Sequence, residues 1–176
     1  MIKESLSKII ITGGAGFIGS NLGKYFNQIG INNILIVDDV DSDKKKKRNL
    51  DDLKYDALIG IKDFINDLSN FKNVNYIFHQ GACSDTMNHD EVYMLHNNSE
   101  YSIEILNHSL NHNINFIFAS SASVYGHGEK GFIDSKDCEI PLNTYADSKF
   151  KVDRVIKNIL RQKLSKQVLS LRYFNV

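Results

Sequence analysis

The chain has 176 residues, enough for one domain with a sizeable core, and its 42% hydrophobic content is that of an ordinary globular protein. Its 21 basic and 21 acidic residues cancel, so no overall field favours nucleic acid or an anionic membrane as a partner. The two cysteines, Cys83 and Cys138, have neither metal-site nor disulfide-framework spacing, which fits a cytoplasmic setting, and no run approaches the roughly 20 apolar residues of a membrane helix.

Taken in chain order, apolar runs and helical patterns alternate. Lys8–Thr12 reads as a buried strand, Gly16–Ile29 as a helix closed near Gly30, and Ile34–Asp38 as a second strand. The charged run Asp41–Arg48 reads as a loop, and Leu50–Tyr55 as a short extra strand. A helix is predicted over Ala57–Leu68, a strand over Val74–His79, and a long helix over Asp90–Asn111. A strand at Ile114–Ser120, a helix at Thr144–Gln162 and a strand at Gln167–Tyr173 complete the pattern. Continuous apolar strands separated by helices imply a parallel sheet covered on both faces, and right-handed crossovers make it doubly wound. The expected fold class is therefore α/β, a Rossmann-type sheet occupying residues 1–176.

Ligands of such sheets bind at the carboxyl ends of the strands. The segment Thr12–Gly19 lies at the first of those ends. Gly13 allows a tight turn, Gly16 lets a pyrophosphate approach the backbone, and Gly19 lets the helix pack close to the sheet. The helix start then offers N–H groups and a positive dipole to phosphate. Asp38, about 20 residues on, can accept hydrogen bonds from a ribose. An acid there favours NAD, because it repels a 2′-phosphate, while the Lys44–Arg48 run just beyond it can offset that repulsion and favour NADP.

Ser121 ends one strand, and Tyr145 and Lys149 share a face of the helix that follows. A tyrosine is a poor base at its ordinary pKa of about 10. A neighbouring ammonium and an oxidised nicotinamide are expected to lower it, so that Tyr145 exchanges a proton with a substrate alcohol while hydride moves. Ser121 would bond the same substrate oxygen, and Lys149 would also hold the nicotinamide ribose. The small residues of Gln80–Ser84 let backbone pass close to a cofactor. Cys83 lacks a basic partner and reads as a buried or cofactor-facing thiol, His79 as a packing and hydrogen-bonding group, and the histidines show no metal-site spacing.

With these residues in view, Thr12–Gly19, Ser121 and the Tyr145-x-x-x-Lys149 pair resemble the extended short-chain dehydrogenase/reductase family of nucleotide-sugar epimerases and dehydratases. Within it, Phe78–Ser84, Asn97-Asn98, Ala119–Gly126, Pro141–Phe150 and Arg172–Val176 are similar to the ADP-heptose 6-epimerases. The resemblance implies inversion at C6″ of an ADP-heptose in lipopolysaccharide precursor synthesis, through transient oxidation by bound NADP, with NAD as the alternative. Phe17, Ile18, Asp38, Asp39, a lysine such as Lys45 or Lys46, Gln80, Gly81, Ala82, Cys83, Ser84, Asn97, Lys149 and Val176 match its cofactor positions. Ser121 and Asn175 match substrate contacts, and Ser121, Tyr145 and Lys149 match catalytic positions.

Three departures accompany the match. Gln80 stands where a glutamate is usual, Asp39 replaces an asparagine, and Lys62 is one place from a cofactor-contacting lysine. Relatives also continue into a substrate domain carrying a second acid/base lysine. The chain is thus expected to be the cofactor half alone, inactive by itself, from a family that forms homo-oligomers. The alternatives are another nucleotide-sugar 4-epimerase or 4,6-dehydratase, or a non-catalytic dinucleotide-binding remnant.

Overall fold

The computed structural model describes residues 8–40, 44–87 and 89–174. Its strands are β1 (Ile9–Thr12), β2 (Ile34–Val37), β3 (Ala57–Ile59), β4 (Tyr76–His79), β5 (Asn115–Ser121) and β6 (Val168–Tyr173). Every neighbouring pair is parallel, in the spatial order β3-β2-β1-β4-β5-β6. The chain leaves β1 in one direction and later returns to its other side as β4. This reversal opens a crevice at the carboxyl ends of β1 and β4.

Alternation within the strands splits the core into two faces. Ile9, Ile11, Ile34 and Ile36 point to one side, where Phe26 of helix α1 (Phe17–Gln28) covers them. Ile10, Leu35, Val37, Ile77, Phe116, Phe118 and Val168 point to the other. There they meet Phe64 of α3 (Ile61–Asn66), Ile105 and Leu106 of α5 (Tyr101–Asn111), and Val152 and Ile156 of α6 (Thr144–Ile159). Helices with one apolar stripe form because the sheet buries that stripe. Asn143 caps α6, its side chain accepting from the Ala146 N–H at 2.7 Å.

Four predicted elements differ from the structure. The third strand is Ala57–Ile59 rather than Leu50–Tyr55, and the predicted helix over Ala57–Leu68 is only α3 and a short 3-10 turn at Leu68–Asn70. Gly60 separates strand from helix, while Leu50 and Leu53 turn inward as single core residues under α1. The Lys44–Arg48 run forms a short helix, α2, where a loop was predicted. The long helix begins as α4 (Glu91–Met94) and passes through a π-helical segment, Leu95–Glu100, before α5. Among the described residues, no helix is long and apolar enough to cross a membrane.

Candidate active site

The glycine turn leaves β1 and enters α1 as predicted. Gly13 has a φ of +64°, and a methyl group on it would lie 2.6 Å from the Gly81 backbone. A methyl on Gly19 would lie 2.3 Å from the Gly13 carbonyl. The turn and the Gln80–Ser84 segment therefore touch backbone to backbone, at a distance that only glycine permits. No side chain caps α1, and its first turn carries no acid, so its N-terminal dipole is left for a ligand. Phe17 is exposed at the mouth of the crevice, with Ile18 half-buried behind it.

Asp38 is buried at the end of β2. One carboxylate oxygen accepts from the Ala15 N–H at 3.0 Å. The other accepts from the Asp39 N–H at 2.9 Å and from the Lys46 ammonium at 2.8 Å. The acid and the lysine run, which pull in opposite directions in the sequence, are thus joined in an ion pair. Asn49 adds a further tie by donating to the Ala15 carbonyl at 2.9 Å. Asp39 turns away from this pair, and its carboxylate accepts from the Ile61 N–H at 3.0 Å at the start of α3. Lys45 lies on α2 beside Lys46.

Across the crevice, Asn98 of the π-helical segment holds Cys83 by both backbone groups. It accepts from the Cys83 N–H at 2.8 Å and donates to the Cys83 carbonyl at 3.0 Å. Asn97 donates to the Asn98 side chain at 3.0 Å. π-helical turns such as this one are frequent at functional sites. Both polar atoms of the Gln80 amide are buried without a hydrogen bond, a state that asks for a partner. The glycine cradle, the open helix start and this orphaned amide fit a dinucleotide.

Ser121 at the end of β5 accepts from the Ser123 N–H at 3.2 Å and the Ser123 hydroxyl at 2.9 Å. Its neighbour Ser120 is buried within the sheet. Tyr145 stands at the start of α6, beside Ser121. Burial raises the Tyr145 phenol above its ordinary value, Ser121 partly opposes that, and Cys83 adds to it. The expected lowering by Lys149 is not observed. The Lys149 ammonium instead donates to the Ala119 carbonyl at 2.8 Å and sits 4.8 Å over the Phe118 ring. Burial lowers Lys149 to about 8, with Asp153 opposing. Asn175 and Val176, the remaining sequence candidates, lie outside the described residues.

Residues 9–176 match the model of the NAD dependent epimerase/dehydratase family. The chain belongs to this family. It is 50% identical over 173 residues to an ADP-L-glycero-D-manno-heptose-6-epimerase of Brachyspira hyodysenteriae, covering 96% of this chain and 54% of the relative. The solved Helicobacter pylori ADP-L-glycero-D-manno-heptose-6-epimerase superposes with a TM-score of 0.85 at 29% identity, over 99% of this chain and 57% of that one. A UDP-N-acetylglucosamine 4-epimerase from Methanobrevibacter ruminantium, solved with UDP-N-acetylmuramic acid, gives a TM-score of 0.80 at 27% identity, over 96% and 55%. The chain spans about half the length of each.

Family membership accounts for the grouping of Gly13, Gly16, Gly19, Asp38 and the Gln80–Ser84 segment around one crevice. Ser121 and Tyr145 border it on the β5 side, with Lys149 one helical turn further on. Sequence reasoning missed Thr12, Asn49, Asn98, Ser102 and Ser148, which hold this geometry through buried hydrogen bonds. Such residues carry no motif of their own. Thr12, Asn98 and Ser148 lie within stretches the sequence had marked, but of these stretches' polar residues only neighbours such as Asn97 and Tyr145 carried a role.

Proposed function

We propose that this chain is the dinucleotide half of a nucleotide-sugar epimerase that inverts C6″ of an ADP-heptose, with NADP as its cofactor. The observation that carries the reading is the 50% identity to a heptose 6-epimerase along 96% of the chain. A bound nicotinamide dinucleotide supplies a hydride acceptor and then a hydride donor. The glycine turn and the start of α1 would hold the pyrophosphate. Asp38 would meet the adenosine ribose, with Lys46 and Lys45 placed for a 2′-phosphate. Gly81, Ala82, Cys83 and Ser84 would line the crevice with backbone, while Gln80 and Asn97 would offer side chains.

Tyr145 would take the proton from the substrate alcohol as hydride leaves the sugar, and return it in the reverse step. Its raised pKa means that the phenol is protonated at neutral pH in the chain alone. Positive charge brought by an oxidised nicotinamide would favour the phenolate. Ser121 would orient the same oxygen, and Lys149 would hold the nicotinamide ribose. We place the protein in the cytoplasm, where two cysteines without disulfide-framework spacing are at home.

Calorimetric titration of the chain with NADP and with NAD tests the cofactor assignment. Tighter binding of NADP is expected, and Lys46→Ala should weaken NADP by roughly tenfold while leaving NAD within about twofold. A wild-type preference for NAD would overturn the NADP reading. For the substrate, the chain joined to the carboxy-terminal half of the Brachyspira relative should convert ADP-heptose and leave UDP-glucose unchanged. Conversion of UDP-glucose instead would move the assignment to the 4-epimerases. The 176 residues alone are expected to bind dinucleotide without sustained turnover.

A further inference from the structure

His79 is fully buried at the end of β4, away from the crevice surface, yet it bonds through both ring nitrogens. Nε2 lies 2.7 Å from the Ser102 hydroxyl oxygen. That hydroxyl spends its single proton on the Asn98 carbonyl, 2.5 Å away. It has none left for the ring, so Nε2 carries the hydrogen and donates it. Nδ1 is then the acceptor, and the Thr12 hydroxyl donates to it at 2.6 Å. The Thr12 oxygen in turn accepts from the Gly81 N–H at 3.2 Å.

The chain of bonds continues beyond Asn98. Its side-chain amide donates to the Ser148 hydroxyl at 3.1 Å, and Ser148 donates to the Tyr145 carbonyl at 2.7 Å. The same amide holds Cys83. A buried relay therefore runs from the glycine turn, through the His79 ring, to the first turn of α6. The ring is stacked against Phe116 and Phe118 at centroid distances of 5.9 and 5.8 Å, which sets its plane. Burial first, and the nearby Lys149 charge second, hold the imidazole neutral, with a pKa lowered to about 3.

We propose that His79 is a positioning residue, which as the neutral Nε2–H tautomer holds the glycine turn and the Cys83 segment in register with Tyr145. The proposal rests on reading the crevice as a dinucleotide site, but its geometric part does not need the ligand. Three variants separate its links. His79→Phe keeps the stacked ring and removes both nitrogens, while Thr12→Val and Ser102→Ala each remove one bond and keep the imidazole.

Amide hydrogen exchange on the chain without ligand is the first readout. In each variant the Gly81 and Cys83 amides should exchange at least about tenfold faster, with Ile156 near the far end of α6 unchanged. Unchanged protection at Gly81 and Cys83, or an equal loss at all three amides, would overturn the proposal, the second outcome marking a merely structural histidine. If His79→Phe does not fold, Thr12→Val and Ser102→Ala decide the matter. The second readout is dinucleotide affinity, expected to fall about tenfold in each single variant. Thr12→Val should cause no further loss on the His79→Phe background. Normal affinity in folded variants of a chain that binds would also overturn the positioning role. A wild-type chain that binds neither dinucleotide would defeat the reading of the crevice, and the exchange result would still judge His79.

Discussion

Gly13 and Gly19 bring two backbones closer than any side chain allows. Gly13→Ala must accommodate a methyl 2.6 Å from Gly81 at a φ of +64°. We expect a loss of about 2–4 kcal/mol in urea unfolding, from left-handed backbone strain plus overpacking. Lys149 gives a pH signature. Its folded value of about 8 lies below the ordinary 10.5, so between those values the unfolded chain binds more protons. Stability should therefore rise as pH rises through about 8 toward 10.5. Urea midpoints at pH 7.5 and 9.5 measure this rise, and Lys149→Met should flatten it. These residues show how uneven legibility was. The glycines and the Tyr145/Lys149 pair are visible as motifs, whereas the direction of the Lys149 ammonium, toward Ala119 and Phe118, depends on which helix face meets which strand.

At the scale of elements, β6 is joined to α6 and to the long β5–α6 connection by a buried ionic cluster. Arg172 donates to Asp153 at 2.9 Å and to Glu139, and its guanidinium lies 4.7 Å over the Tyr125 ring. Lys157 reaches Glu139 and Asp134 from α6. Burial opposes charge on Glu139, yet hydrogen bonds from Lys157 and Arg172 hold its pKa below the ordinary value. Removing the arginine leaves the buried Asp153 carboxylate with the Ser170 hydroxyl alone and Glu139 with Lys157 alone. Arg172→Leu should cost about 3–5 kcal/mol, read from the shift of the urea transition at constant slope. An unchanged midpoint would show that the cluster relaxes into solvent.

For the whole molecule, the two faces of the sheet are unequally covered. Strands β1 and β2 are screened on one face by α1, but on that same face Leu169 and Leu171 of β6 are 45% and 40% exposed. Beyond β6, Phe174 is also exposed. An apolar strip on an edge strand promotes association. The chain should self-associate as its concentration rises. The double substitution Leu169→Glu/Leu171→Glu should suppress this in sedimentation velocity without changing the circular dichroism. Persistent association would place the contact elsewhere.

What the amino-acid order determined by itself was local or periodic. Apolar runs marked β1, β2, β4 and β5, because strands in the middle of a sheet covered by helices tolerate little else, and a similar run marked β6 at the edge. The glycine spacing marked the turn into α1, because backbone contact excludes side chains. Ala57–Ile59 escaped notice because three residues carry no period, and its strand state comes from pairing with β2. Only the tertiary structure decided that Lys46 would neutralise Asp38, that a phenylalanine ring and a carbonyl would receive Lys149, and that Thr12, His79, Ser102 and Asn98 would form one relay. Those contacts join residues four to sixty-seven positions apart. Their geometry follows from the order and register of the strands, which no short stretch of sequence contains.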